Sequence, residues 1–250
     1  MQAALHNVFW RTPTQAALDL VSARLEDREV WQGLIRQRAE YQNNPDNFRR
    51  LSIHQQRLFT DRIKLLDEKI DQDRTLLYFP FPQQTAFHTT RLHNDKTAPA
   101  GKAVLAKTRI ADCGNRSGKT IAGSVEAIWW ASGTHPYIFT PQAPMTVWFV
   151  CLDHSHSRDI NKPIFDTFLP IASVWNAQAR TWKLPNGSEI VLKSQEAGRT
   201  KFQGGDIPLI VWDEEGVDPE ESKKIFEECV VRTWDKSGQV VMTLTPIEQY

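Results

Sequence analysis

The sequence predicts an α/β fold: a mostly parallel sheet flanked by helices, behind an N-terminal helical extension. Three observations predict it. Residues 12–75 hold apolar positions at helical spacing. From about residue 76 onward, short β-rich apolar runs alternate with helical stretches, which implies parallel strands joined by helices. Two of those runs end in chemically distinctive residues, one in a Gly-Lys-Thr loop and the other in a row of carboxylates.

The extension opens with Thr12 as a helix cap, Pro13 in the first turn and Gln15 completing a capping box. Leu18, Val21 and Leu25 follow at helical spacing. The run Asn43-Asn44-Pro45-Asp46-Asn47 breaks the helix, and Phe59, Ile63, Leu66 and Ile70 form the stripe of a second one. Acidic and basic residues interleave over 11–74. The extension therefore reads as a solvated helical hairpin packed on the core, with a docking arm for a partner as the alternative. Beyond it, 103–111 reads as a strand, followed by a turn and a helix through Trp130. The run 146–152 has the profile of a strand buried on both faces, and 157–169 that of a helix which Pro163 shortens or kinks. Stretches 181–184 and 189–192 form a hairpin around Asn186-Gly187. A further buried strand covers 209–212. Asp218, Pro219 and Glu221 then supply the cap, first and third positions of a helix, and 240–244 is a last strand. The expected division is 1–75 for the extension and 76–250 for the α/β domain.

Composition narrows the function classes. Lys+Arg and Asp+Glu both number 30, so net charge carries no nucleic-acid footprint, although a local basic strip is compatible with neutrality. Cys113, Cys151 and Cys229 are odd in number and far apart. That argues for a reducing compartment and against a disulfide framework or a cysteine zinc site. The N-terminus lacks a signal-peptide pattern. The longest apolar run, 147–152, falls far short of the ~20 residues that span a bilayer. A soluble intracellular protein is expected.

The run Gly114-Asn115-Arg116-Ser117-Gly118-Lys119-Thr120 lies between a predicted strand and a predicted helix, the setting of a P-loop. Such a loop curls its backbone N–H groups around a phosphate at the positive end of a helix. Gly118 lets the backbone approach, Lys119 reaches the β- and γ-phosphates, and the Thr120 hydroxyl ligates Mg²⁺. Cys113 stands where the standard pattern has its first glycine. The apolar run 207–212 delivers Asp213 beside that loop, where it holds Mg²⁺ through water. Glu214 is placed to polarise the water that attacks the γ-phosphate, which points to hydrolysis of ATP. Glu215 reads as part of the following helix cap. His154 and His156 read as a polar loop near the nucleotide, Trp129, Trp130, Trp148 and Trp212 as core, and Trp182 as packed.

Four stretches together resemble the large terminase subunits of tailed bacteriophages. Gly114–Thr120 resembles their deviant Walker A loop, which carries an internal arginine, here Arg116. Phe79-Pro80-Phe81-Pro82-Gln83-Gln84 looks like their adenine-reading stretch, with Gln84 as the contact. Gly198-Arg199-Thr200-Lys201-Phe202-Gln203-Gly204 resembles their approach to Walker B. Thr243-Leu244-Thr245-Pro246 looks like their coupling motif, with Thr243 and Thr245 as its threonines.

The resemblance spans about 76–250 and implies a RecA-like (ASCE) P-loop NTPase. The activity implied is ATP hydrolysis, with Mg²⁺, coupled to translocation of double-stranded DNA into procapsids. Implied partners are double-stranded DNA, the portal protein of the procapsid, the small terminase subunit and further copies in a homo-oligomeric ring, a pentamer, when assembled, with a monomer when free as the alternative. There is no membrane partner, and the implied place is the cytoplasm of the infected bacterial host. Arg116 would act in cis. Arg199 would act as a finger on the neighbouring subunit's ATP, or else pair with Glu196 or a DNA phosphate. The family continues into an RNase H-like nuclease domain, expected beyond Tyr250, so no nuclease activity is expected of these 250 residues. Two other readings stand beside this one: a nucleotide-dependent assembly module, and a helicase-like ATPase, which needs a second RecA-like domain.

Overall fold

The computed structural model describes residues 15–89, 91–92, 104–105, 108–216, 218–234 and 238–245. Thr12, Pro13 and Pro246, read above as cap, helix start and coupling residue, lie outside them. The described strands are β1 (Arg91–Leu92), β2 (Val104–Leu105), β3 (Thr108–Asp112), β4 (Thr146–Cys151), β5 (Val174–Asn176), β6 (Thr181–Lys183), β7 (Glu189–Ser194), β8 (Leu209–Asp213) and β9 (Gln239–Leu244). Seven form one sheet in the order β3-β9-β8-β4-β7-β6-β5. From β3 to β7 every pairing is parallel, and the last two are antiparallel. The strand expected over 103–111 is split, because β2 pairs with β1 in a separate antiparallel ribbon while β3 pairs with β9. The Asn186-Gly187 hairpin is present as β6 and β7, with Trp182 opposite Ile190. The edge strand β5 carries no periodicity legible in three residues.

This order positions the site. β9 lies between β3, which feeds the Gly-Lys-Thr loop, and β8, which ends in Asp213. All five residues of β8 are buried, as are five of the six in β4. Both strands are apolar on two faces because helices cover both faces of a parallel sheet.

The helices are α1 (Gln15–Asn43), α2 (Pro45–Arg49), α3 (Ile53–Gln72), α4 (Pro82–Thr89), α5 (Lys119–Ser132), α6 (His154–His156), α7 (Lys162–Phe168) and α8 (Pro219–Trp234). Eleven of the 14 residues of α5 are buried. Gly123 lets it lie close on the sheet, since a Cβ there would come 3.1 Å from Val211 Cγ1 and 3.3 Å from Thr243 Cγ2. The helix expected over 157–169 is present, starting at His154 and running to Phe168 without a non-helical residue. Within it a π-helical turn, Ser157–Asn161, joins α6 to α7, and Pro163 lies just after that turn.

The extension is a hairpin as expected. α1 and α3 are tied by Arg38–Asp67 at 2.6 Å and by the tilted and edge-on rings of Tyr41, Phe48 and Phe59. Leu66 is the buried centre of the predicted α3 stripe. The predicted α1 stripe does not carry the docking, since Leu18 is 40% exposed. Leu34 is buried instead, and buried polar side chains add to it. Arg28 donates to the carbonyls of Thr75 and Tyr78, and Gln32 to those of Leu76 and Tyr78. These carbonyls lie on a 3₁₀ turn, Arg74–Leu77, and its cap, whose carbonyls have few partners of their own.

Candidate functional site

β3 runs into the loop through Asp112, and the Cys113 N–H donates to the Leu244 carbonyl at 3.1 Å, so the loop starts in register with β9. Two residues of the loop sit in left-handed conformation, Arg116 with φ 64 and Gly118 with φ 78. Gly118 is required twice over, because an added Cβ would also come 2.6 Å from Gln84 Nε2. Asn115, Arg116 and Ser117 are exposed, whereas Lys119, the first residue of α5, is buried. The loop's N–H groups and the N-terminus of α5 therefore share one end of the sheet, an arrangement that suits an anion.

β8 brings its carboxylates to the same end. Asp213 is wholly buried, and its Oδ1 accepts from Thr243 Oγ1 at 2.7 Å and Thr120 Oγ1 at 3.1 Å. Its Oδ2 accepts from Asn161 Nδ2 at 2.9 Å and faces His156 Nε2 at 3.6 Å. That contact raises the His156 pKa. A hydroxyl and a carboxylate oxygen side by side form a hard oxygen donor set, which fits Mg²⁺.

Glu214 follows with φ 66, a strained value for a residue with a side chain. Its N–H donates to the Thr243 carbonyl, and its carboxylate accepts from the N–H and hydroxyl of Thr245, at 3.0 and 2.7 Å. Lys119 Nζ lies 2.9 Å from Glu214 Oε1. Both threonines of the stretch read as a coupling motif thus touch the acidic pair directly. The Thr245 hydroxyl also lies 3.5 Å from Asn115 Oδ1.

Gln84 reaches the loop from α4. Its oxygen accepts from the Phe81 N–H at 2.9 Å, and its nitrogen donates to the Gly118 carbonyl at 3.0 Å. Arg199 lies apart from this cluster, with a half-exposed side chain. Its Nε and Nη2 donate to Glu228 Oε2 on α8 at 3.2 and 3.1 Å. Its partner is Glu228, and not the Glu196 considered from the sequence.

Sequence reasoning missed Asn161, because the π turn that delivers it leaves no period to read, and the approach of His156 to Asp213 from α6. It also missed a buried cluster behind α5, where ligand-type atoms of His88, Glu126 and His135 lie within 4.8 Å of one another. Hydrogen bonds close this cluster. Glu126 Oε1 accepts from Arg109 and from Trp130 Nε1, and Oε2 accepts from His88 Nδ1 and His135 Nε2. His135 Nδ1 accepts from the N–H groups of Tyr137 and Ile138, which leaves its proton on Nε2. Burial opposes the Glu126 charge, but Arg109 and the histidines outweigh it and hold the carboxyl well below its usual range. Burial pushes His135 down to about 4 and lowers His88. The cluster fastens α4, which carries Gln84, to α5, which carries Lys119.

A parallel sheet in this order, with a Gly-Lys-Thr loop leaving one strand and acids ending another, defines the RecA-like α/β class. Residues 111–247, more than half of the chain, match the family "Terminase large subunit, T4likevirus-type, N-terminal". The chain belongs to that family. Among solved structures it is similar to the large terminase ATPase domain of Thermus phage P74-26, with a TM-score of 0.50 and 18% identity over 71% of this chain and 69% of that one. A mutant of that domain gives the same values. The large terminase of bacteriophage HK97 is also similar, with a TM-score of 0.46 and 13% identity over 67% of this chain and 33% of that one. No curated protein matches. No helix among the described residues is long and apolar enough to cross a membrane.

Proposed function

We propose that this chain is the ATP-hydrolysing motor domain of a viral terminase large subunit, which translocates double-stranded DNA into procapsids. The observation that carries the reading is the convergence of Lys119, Thr120, Asp213 and Glu214 at one end of the sheet, in a chain of the terminase family. Gly114–Thr120 hold the phosphates, with Lys119 neutralising the β and γ groups. Thr120 and Asp213 hold Mg²⁺, which when bound neutralises charge on the phosphate oxygens. Glu214 takes up the proton of the attacking water, and Arg116 meets charge developing on the γ-phosphoryl group. Gln84 reads adenine: its amide keeps a second N–H and a second lone pair beyond the two bonds it makes. Thr243 and Thr245 couple the acids to the rest of the motor.

Arg199 is the finger acting on the neighbouring subunit's nucleotide in a homo-oligomeric ring. The working division is an extension over 1–75 and the ATPase domain over 76–250. The remaining partners are the portal protein and the small terminase subunit, in the host cytoplasm. The test is steady-state ATP turnover by the protein with and without double-stranded DNA and empty procapsids. Turnover that rises when both are present is the expected result. Tight nucleotide binding with no turnover would instead support an assembly module in which ATP only orders a surface.

A further inference from the structure

The chain leaves β4 beside the end of β8, since Val150 pairs with Trp212. Asp153 caps the segment that follows by accepting from the His156 N–H at 2.7 Å. A regular α-helix from that cap would turn position 161 by 100° per residue. The sequence instead takes one wide π turn at Ser157–Asn161. π turns inside α-helices occur disproportionately at functional sites. Here the turn leaves Ile160 46% exposed while Asn161 is wholly buried, with its Nδ2 on Asp213 Oδ2 at 2.9 Å.

Asp213 is thereby gripped on both oxygens. Thr120 and Thr243 take Oδ1, and the π turn takes Oδ2. An amide is suited to this, because it donates to a carboxylate without adding charge next to a cation site. The other end of the amide, Asn161 Oδ1, is buried and has no hydrogen-bond partner among the described residues. A buried acceptor without a donor is costly, and a water held by a metal ion is a donor of the right kind.

We propose that Asn161 is a positioning residue for the magnesium site, fixing the Asp213 carboxylate through Oδ2 so that Oδ1 and the Thr120 hydroxyl face the ion. The proposal rests on the ATPase reading of the same site. It predicts a defect specific to metal, because the hydrogen-bonding partners of metal-binding carboxylates are typically worth about 10–100-fold in metal affinity.

The test is equilibrium binding of a fluorescent ATP analogue to the intact protein, in EDTA and across a Mg²⁺ titration. Wild type is compared with Asn161→Ala and the near-isosteric Asn161→Leu, and circular dichroism checks the fold. Wild type should bind more tightly as Mg²⁺ rises. Both variants should keep the EDTA affinity and need about 10-fold or more Mg²⁺ for the same gain. An unchanged Mg²⁺ requirement in a folded variant overturns the proposal. So does equal loss in EDTA and Mg²⁺, or failure of both variants to fold, either of which makes Asn161 structural. Absence of any Mg²⁺ effect in wild type would instead count against the ATPase reading itself.

Discussion

Lys119 and Glu214 face each other at 2.9 Å, so each has a consequence at the phosphate end of the site. Lys119→Ala removes the charge proposed to meet the β- and γ-phosphates, and ATP turnover should fall to background. Turnover near wild type, measured as phosphate release, would mean that the loop does not hold the nucleotide. Gln84 is proposed to act at the other end. Its amide is buried and oriented by Phe81 and Gly118, which leaves one donor and one acceptor for a base edge. Gln84→Ala should therefore weaken ATP more than GTP, by about 10-fold if two hydrogen bonds of ordinary strength are lost. Equal losses for both nucleotides in a competition assay would reduce Gln84 to a packing role.

At the scale of elements, the Glu126 cluster makes the α4–α5 contact sensitive to acid. Above pH 6.5 both histidines are neutral, folded or unfolded, and contribute no pH dependence. Below it the unfolded chain takes up protons that the folded chain refuses, because His88 is lowered and His135 titrates only near 4. Stability must then fall as pH drops from 6.5 towards 4, by up to about 1.4 kcal/mol per pH unit for each histidine. Glu126, held low when folded, adds a further loss below its ordinary value of 4.5. Urea midpoints at pH 7, 6 and 5 should show this slope, and His135→Gln should flatten it. Parallel slopes for the two proteins would place the acid sensitivity elsewhere.

The elements also mark how far the sequence was legible. β4, β8, the hairpin and the capped start of α8, where Asp218 accepts from the Glu220 and Glu221 N–H groups, follow from local chemistry written in adjacent residues. The Gly-Lys-Thr loop and the Asp213–Glu214 pair were readable for the same reason. Asn161 was not, because its place depends on a π turn, a departure from the period that sequence reading relies on. Nor was the Glu126 cluster, whose members come from α4, β3, α5 and the loop after it, and meet only through the fold. The α1 stripe told only part, because polar side chains also dock that helix on backbone carbonyls, and apolar spacing carries no sign of such a bond.

On the scale of the whole molecule, the proposed trans finger requires more than one copy. Arg199 is half exposed and tied to Glu228 on its own α8, so the proposed finger has to leave that pairing to reach a neighbour. Mixing two inactive proteins, Arg199→Ala and Glu214→Gln, under ring-forming conditions creates interfaces with every catalytic group present. One subunit supplies the nucleotide pocket and the other the finger, a group worth about 10³–10⁵ in rate in related phosphoryl transfers. Activity should reappear in the mixture and peak at intermediate ratios. Rings that exchange subunits and stay inactive at every ratio would confine Arg199 to its pairing with Glu228 or to DNA.

The central claim is that Glu214 serves hydrolysis while Thr120 and Asp213 serve the metal. Measuring ATP affinity and single-turnover hydrolysis side by side in Glu214→Gln tests that division most directly. The account predicts Mg²⁺-dependent ATP affinity within a few-fold of wild type, with hydrolysis slower by about 10² or more, as when one positioned catalytic group is removed. Loss of Mg²⁺-dependent binding in step with hydrolysis would make Glu214 a metal ligand and contradict it.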